Sequence, residues 1–447
     1  MTPPHAATPD AEAHRPPTEG IPERSLRRTG QPVGTTFISL YILAIIGLWL
    51  AVLPPTAVAL SLRVAELDPE HKSSSLALVT GVGAVFALVA NPVCGRLSDA
   101  SVSRFGRRRP FMVGGVLLAT LSLVVVGSAP NIPTMLAGWC VLQIGVNAAL
   151  AALIAVLPDR IPEHRPDRIP EHRRGRVSGL MGMTNQVATV TGTFLIQLTG
   201  THGLGMFLVP ALIGVVLVVV FACHLREVPQ SRAERRPLSW SDIPRSMWIN
   251  PLRHTDFAWA FLSRFLVWTG KAFLLTYKTY FLMDHLGYDA DDAARILSWT
   301  MLLLGIAIVV GSNVAGWLSD LLRRRKIFIG IASLLFAAGM VVIAFSNSVT
   351  GFLIGVTISG IGQGIYVGID YALVASVLPD SKSEAAKGMG LFNVANALPQ
   401  GIAPAVAPLF LAIGGADGED NYTALYLAAA AFALLGAVAV RFVRGAR

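Results

Sequence analysis

Three cations stand seven residues apart in one apolar stretch of the chain: Arg264, Lys271 and Lys278. A fourth charge, Asp370, lies in another apolar stretch further along. Ionisable groups inside long apolar runs are functional candidates, because hydrocarbon makes a bare charge cost several kcal/mol. Seven residues are close to two turns of an α-helix, so the three cations share one face, with about 10 Å of rise between neighbours. Such a stripe can bind an anion or pair with a carboxylate. Arg264 and Asp370 each lie seven residues in from an end of their stretch, a matching depth at which an ion pair is expected if their two helices adjoin. Asp370 is also the carboxylate placed to take up and release a coupling proton. Lys271 sits near mid-stretch and is the cation best placed to meet a substrate. Lys278 lies near the outer end, where a long side chain can snorkel to the interface.

Neutral polar residues complete the expected substrate site. Gln143 and Asn147 lie in one apolar stretch, Gln363 and Tyr366 in a second, and Asn393 and Asn396 in a third. Amide side chains both donate and accept hydrogen bonds, which suits a hydroxyl-rich ligand. Together with Arg264 and Lys271 they form the candidate binding set. Asn185 and Gln186 are weaker candidates of the same kind.

The elements that must position these residues are helices in a bilayer. Of the 447 residues, 53% are hydrophobic and 14% charged, and the mean hydropathy is +0.59. A soluble domain carries about 25% charged residues. The composition therefore excludes a soluble enzyme, a disordered scaffold and a secreted disulfide-rich module. Apolar runs long enough to cross a membrane, about 20 residues each, fall at 36–60, 75–95, 110–129, 132–156, 177–198, 203–224, 257–283, 294–315, 327–345, 349–377, 388–412 and 422–441. With both termini cytoplasmic, inner segments hold 30 Lys and Arg, against 3 in outer loops (Arg63, Lys72 and Arg295). That asymmetry follows the positive-inside rule and supports both the even count and the orientation. It also accounts for the net charge of +9 without nucleic acid as a partner. The expected class is an all-α integral protein of the cell membrane with twelve spans.

Cys94, Cys140 and Cys223 are scattered, and no histidine falls mid-span, so neither a disulfide framework nor a metal site is expected. No cofactor is expected either. Residues 1–34 read as a polar, disordered cytoplasmic tail without the apolar core of a signal peptide.

Gly95-Arg96-Leu97-Ser98-Asp99 closes span 2, and Gly316-Trp317-Leu318-Ser319-Asp320 closes span 8, 221 residues later. Val156-Leu157-Pro158-Asp159 and Val377-Leu378-Pro379-Asp380 close spans 4 and 10 at the same offset. Two motifs at one offset divide the chain into six-span halves, 35–224 and 257–447, joined by a cytoplasmic linker at 225–256. Parallel halves of this kind are a transporter design, with the site at the midplane between them. A separate octapeptide at 158–165 repeats at once at 166–173, which reads as a tolerated insertion in a cytoplasmic loop.

The segment from Gly95 to Pro110, with Asp99, Arg104, Arg107, Arg108 and Arg109, resembles the loop signature of the major facilitator superfamily. A weaker copy starts at Gly316 and Asp320. The resemblance implies that the helices carrying Arg264 and Asp370 adjoin, and it implies a gate made by Gly95, Asp99, Arg107, Arg108, Gly316 and Asp320. Glycine would let neighbouring helices approach, Asp99 would face a helix N-terminus of the other half, and the arginines would hold carboxylates or anionic lipid headgroups. The 103–111 stretch and the 390–400 stretch of span 11 are similar to the sucrose and glycoside-carrying branch, of the glycoside-pentoside-hexuronide type. The charged pair that plant sucrose carriers hold in span 4 falls near Asn147 and Ala152 here and is absent.

These readings converge on a secondary transporter, not an enzyme, that moves a small polar solute by alternating access. A sugar, glycoside or sugar acid is the expected substrate, the proton the expected coupling ion, and the monomer the expected functional unit. Efflux of a drug-like or natural-product molecule is the alternative substrate class, and a non-transporting receptor the alternative kind of protein. No phosphate-cradling Gly-x-x-x-x-Gly-Lys-Ser/Thr sequence is present, so ATP is not the expected driver.

Overall fold

The computed structural model describes residues 35–160, 171–225, 227, 254–322, 325–377, 382–414 and 420–443. Among them, twelve long helical passages follow one another in the expected order. Span 1 is Thr35–Pro54 continued by Pro55–Ala59 and Leu60–Leu67. Spans 2 to 6 are Lys72–Asp99, Arg109–Ser128, Ile132–Arg160, Glu171–Thr199 and Gly205–His224. Span 7 is Thr255–Tyr280 with a closing turn at Phe281–His285, and spans 8 to 12 are Ala290–Leu322, Arg325–Ala344, Val349–Val377, Lys382–Leu411 and Tyr422–Arg441. Ten of the twelve are long and apolar enough to cross a membrane by length and composition among the described residues. The two outside that set are span 5, which begins in the basic 172–176 run, and span 7, which carries the three cations.

Several helices outrun their apolar stretches at the end that carries the basic loops. Spans 2 and 8 continue to Asp99 and Leu322, and span 5 begins at Glu171. Helical hydrogen bonding needs no hydrocarbon, so charged turns extend the rods into water. As a result the two five-residue gate motifs are terminal helical turns rather than loop. The tail, most of the paired octapeptides and nearly all of the linker lie outside the described residues.

Local chemistry sets the irregular points. Pro54 and Pro55 remove consecutive backbone donors, and span 1 widens into a π turn over Pro55–Ala59, closed by Leu60 N–H on the Pro55 carbonyl. Span 3 starts behind Gly106, whose φ of 96° suits glycine. The Glu227 carboxylate accepts the N–H groups of Arg108 and Arg109 at 3.0 and 3.3 Å, an anion at the positive end of the span 3 dipole.

Packing builds two bundles. Span 1 lies against spans 5 and 6, and span 4 against spans 2 and 3. In the second half, span 7 lies against spans 11 and 12, and span 10 against spans 8 and 9. The halves meet along span 2 with span 11 and span 5 with span 8.

Polar bonds between the halves gather at the outer ends. Lys72 pairs with Asp284, Ser73 with Asp420, and Thr201 with Asp291. Tyr280 Oη donates to Ser61 O at 3.0 Å and Tyr277 Oη to Ser73 O at 3.2 Å. Beside them, Asp68 accepts from Ser75 Oγ at 2.6 Å, and that bond holds its carboxyl below the usual carboxylate range. The protein is therefore closed at its outer end. Lys278 belongs to this closure and does not snorkel: it is 1% exposed. Its ammonium donates to Ala57 O in the π turn of span 1, at 2.9 Å, and to Leu275 O at 2.6 Å. One backbone carbonyl of the opposite half and one of its own helix thus satisfy it away from the interface.

Candidate functional site

The expected pair forms inside the second half. Arg264 Nη2 lies 3.1 Å from Asp370 Oδ2, and the two side chains are 2% and 5% exposed. Arg264 Nε also donates to Asn396 Oδ1 at 2.7 Å, so spans 7, 10 and 11 are tied at one depth. Tyr366, one turn before Asp370, is buried and hydrogen-bonds Ser263, whose Oγ donates to Gly436 O at 2.8 Å. A guanidinium fork suits this duty, since it serves a carboxylate and an amide at once. In this conformation Arg264 is engaged by Asp370 and Asn396 rather than open to a ligand.

Lys271 stands two turns above Arg264 on span 7 and is half-buried. Its Nζ lies 4.2 Å from the ring centroid of Trp268, a cation–π contact within one helical turn. Among the described residues no carboxylate lies within ion-pair distance of it.

The first half contributes neutral amides. Asn91 Nδ2 donates to Asn147 Oδ1 at 3.2 Å, and Asn147 Nδ2 donates to Gln143 O at 2.8 Å. Spans 2 and 4 are thereby joined by a side-chain bond. Gln363 is buried in span 10, and Asn393 lies where no side chain is described. Asn91 and Trp268 were missed in the sequence. The signals were present: Asn91 is an amide inside an apolar run, and Trp268 precedes Lys271 by three residues, on the same helix face.

At the opposite end of the bundle the gate residues differ from expectation. Asp99 Oδ1 meets Arg108 Nη2 at 2.5 Å, within its own half, and the Asp99 side chain is 45% exposed. Arg108 Nη1 also donates to Ser98 Oγ at 3.1 Å, while Arg107 is half-buried. With the outer ends pinned together, the Asp99 carboxylate is held by its own loop instead of by a helix of the other half. Close approach does not explain the two glycines either. A Cβ on Gly95 would meet Ala151 at 3.8 Å, and one on Gly316 would meet nothing within 4 Å. No side chain is described at Asp320.

An apolar cavity of about 550 Å³ lies elsewhere, between spans 2 and 11. Leu78, Gly81, Val85, Leu398, Gly401 and Ile402 line it. None of the expected polar residues does. Leu78 and Val85 are 50% and 61% exposed, so the cavity is open rather than enclosed.

Two six-helix halves with charged and amide side chains buried in their spans define a membrane transporter of the alternating-access kind. The family model of the Major Facilitator Superfamily matches residues 35–311 and 260–447, and the chain belongs to that superfamily. Two sugar-permease relatives match it in part. The general alpha-glucoside permease of Schizosaccharomyces pombe is 40% identical over 77 residues, 17% of this chain and 14% of that protein. The sucrose transport protein SUC4 of Arabidopsis thaliana is 36% identical over 76 residues, again 17% and 14%. The matched segments thus span about a seventh of these relatives. Among solved structures, a mutant of the nucleoside transporter NupG superposes with a TM-score of 0.69 at 12% identity, covering 90% of this chain and 99% of that one, a likeness of fold.

Proposed function

We propose that this transporter moves a small hydroxyl-rich solute, a sugar, a glycoside or a sugar acid, across the cell membrane in symport with protons. The observation that carries the reading is the Arg264–Asp370–Asn396 cluster, which ties spans 7, 10 and 11 by one ion pair and one amide bond. Protonation of Asp370 would remove the negative partner of Arg264 and release Arg264 and Asn396 together. A proton could thus change how three helices of one half hold each other, which is what coupling requires. The amides Asn91, Gln143 and Asn147 supply donors and acceptors for hydroxyls from the other half, and the partial relatives named for alpha-glucosides and sucrose support the same solute class. Both termini lie in the cytoplasm in this reading, the domain division is 35–224 and 257–447, and the monomer suffices, since each protomer holds a complete pair of halves.

Uptake into proteoliposomes tests it. Radiolabelled sucrose, maltose, glucose and glucuronate are offered with and without an inward proton gradient. Accumulation of at least one, raised severalfold by the gradient, is expected. Saturable binding with no uptake would indicate the receptor alternative. The apolar cavity between spans 2 and 11 favours a second reading, export of a lipophilic drug-like molecule. Gradient-driven extrusion of a lipophilic cation, with every sugar ignored, would establish that reading instead.

A further inference from the structure

Span 7 carries three cations on one face, and the structure uses them unequally. Arg264 is committed to Asp370 and Asn396, at 3.1 and 2.7 Å. Lys278 is committed to two backbone carbonyls, at 2.9 and 2.6 Å, and is fully enclosed. Lys271 stands between them with the face of Trp268 on one side, at 4.2 Å. Among the described residues it has neither a carboxylate nor a hydrogen-bond acceptor, and the residue is only half-buried. A cation held inside a span without a counter-charge is costly, and in membrane proteins such groups mark substrate or ion pathways. The charge count points the same way. The single carboxylate of the cluster already balances Arg264, so a positive charge is left over at the level of Lys271.

We propose that Lys271 and Trp268 form an anion-binding site for a carboxylate-bearing solute, resting on the transport reading above and narrowing it from sugars in general to sugar acids and similar hydroxylated carboxylates. The indole covers one side of the ammonium and excludes water there, while the opposite side accepts the carboxylate. One point charge balances one negative charge. A phosphate dianion would leave a net charge buried, whereas a monoanion leaves none.

The test uses the full chain in nanodiscs and probes that differ only in charge: D-glucuronate, its methyl ester and D-glucose. The acid should bind the wild type at least tenfold more tightly than the ester. Lys271→Gln should remove at least tenfold of acid binding and change ester binding less than twofold, and Lys271→Arg should restore most of the loss. Acid and ester binding alike, or acid binding untouched in Lys271→Gln, would overturn the proposal. Glucose transported equally by wild type and Lys271→Gln, with no preference for the acid, would leave the transport reading intact and remove this site alone. Should none of the three sugars bind, acylation of Lys271 by a small activated ester, followed by peptide mass spectrometry, decides with lactate and benzoate as probes. Protection of at least fivefold by either acid and not by its methyl ester supports the site, and protection by neither overturns it.

Discussion

The two halves share a frame and differ in charge. Moving back by the repeat offset of 221 residues from Arg264, Lys271, Lys278 and Asp370 leads to Leu43, Leu50, Ala57 and Ala149. Moving forward from Gln143 and Asn147 leads to Gly364 and Gly368. Arg264, Lys271, Lys278 and Asp370, the charges deep within the apolar stretches, all belong to the second half, and the Asn91–Asn147 amide pair belongs to the first. The reason is visible in the packing. A Cβ on Gly364 would fall 2.3 Å from Ile308 O, and one on Gly368 would fall 2.8 Å from Ser312 O, so spans 8 and 10 touch backbone to backbone. In the first half the corresponding crossing of spans 2 and 4 leaves room for Asn91 and Asn147 to bond. Repetition preserved the helical frame while the chemistry diverged. One half thus holds groups whose charge can change, and the other offers a neutral, hydrogen-bonding surface.

The sharpest way to break this comparison is to unbalance the charged half. Asp370→Ala leaves Arg264 buried without its counter-charge and should cost about 3–5 kcal/mol of stability, read by thermal unfolding in detergent. A loss no greater than that of Asn147→Ala would mean the pair is not buried as described. Lys278→Met deletes the cation at a position where the first half has only Ala57. Hydrogen bonds from a charged donor contribute about 1.5–3 kcal/mol, so the outer closure should weaken by that order. Spin labels at Glu70 and Ile413, both exposed near the outer ends of opposite halves, should then report a population at longer separation. An unchanged distance distribution would remove Lys278 from the closure.

Exchanging chemistry between the halves has a smaller effect. Gly368→Asn places the first half's amide where span 8 backbone is 2.8 Å away, and overpacking of this kind costs about 1–3 kcal/mol. Asn147→Gly, the reciprocal change at a site with room, would also add backbone freedom, so Asn147→Ala is the cleaner comparison. It should cost about 0.6 kcal/mol, the typical worth of an interhelical bond in a membrane. Similar losses from both substitutions would contradict the difference in packing between the two crossings.

The fold was readable in the sequence because its determinants are one-dimensional. Span length, the Lys/Arg asymmetry and the 221-residue offset need no knowledge of contacts. Even the short links after Ser128, three residues, and before Val349, four residues, separate helices as expected. The Arg264–Asp370 pair could also be anticipated, since counting residues gives the two equal depth and the family resemblance implies that their helices adjoin. What the sequence hid depends on how helices meet. Lys278 looked like an interfacial side chain because its acceptor, Ala57 O, is a backbone atom of another half and carries no sequence signature. Asp99 and its neighbours matched a motif, but the motif does not say which partner holds the carboxylate in a given conformation. Glu227 was lost in a basic linker, although its two backbone hydrogen bonds seat the start of span 3.

The central claim is that Asp370 couples proton movement to solute movement through its bond to Arg264. The direct measurement is solute-induced proton uptake in proteoliposomes, followed with a pH-sensitive dye, for wild type and Asp370→Asn. The account predicts that the transported solute carries protons in with the wild type. In Asp370→Asn proton uptake should vanish and gradient-driven accumulation should cease, while exchange of labelled for unlabelled solute persists. Proton uptake that survives in Asp370→Asn would contradict it.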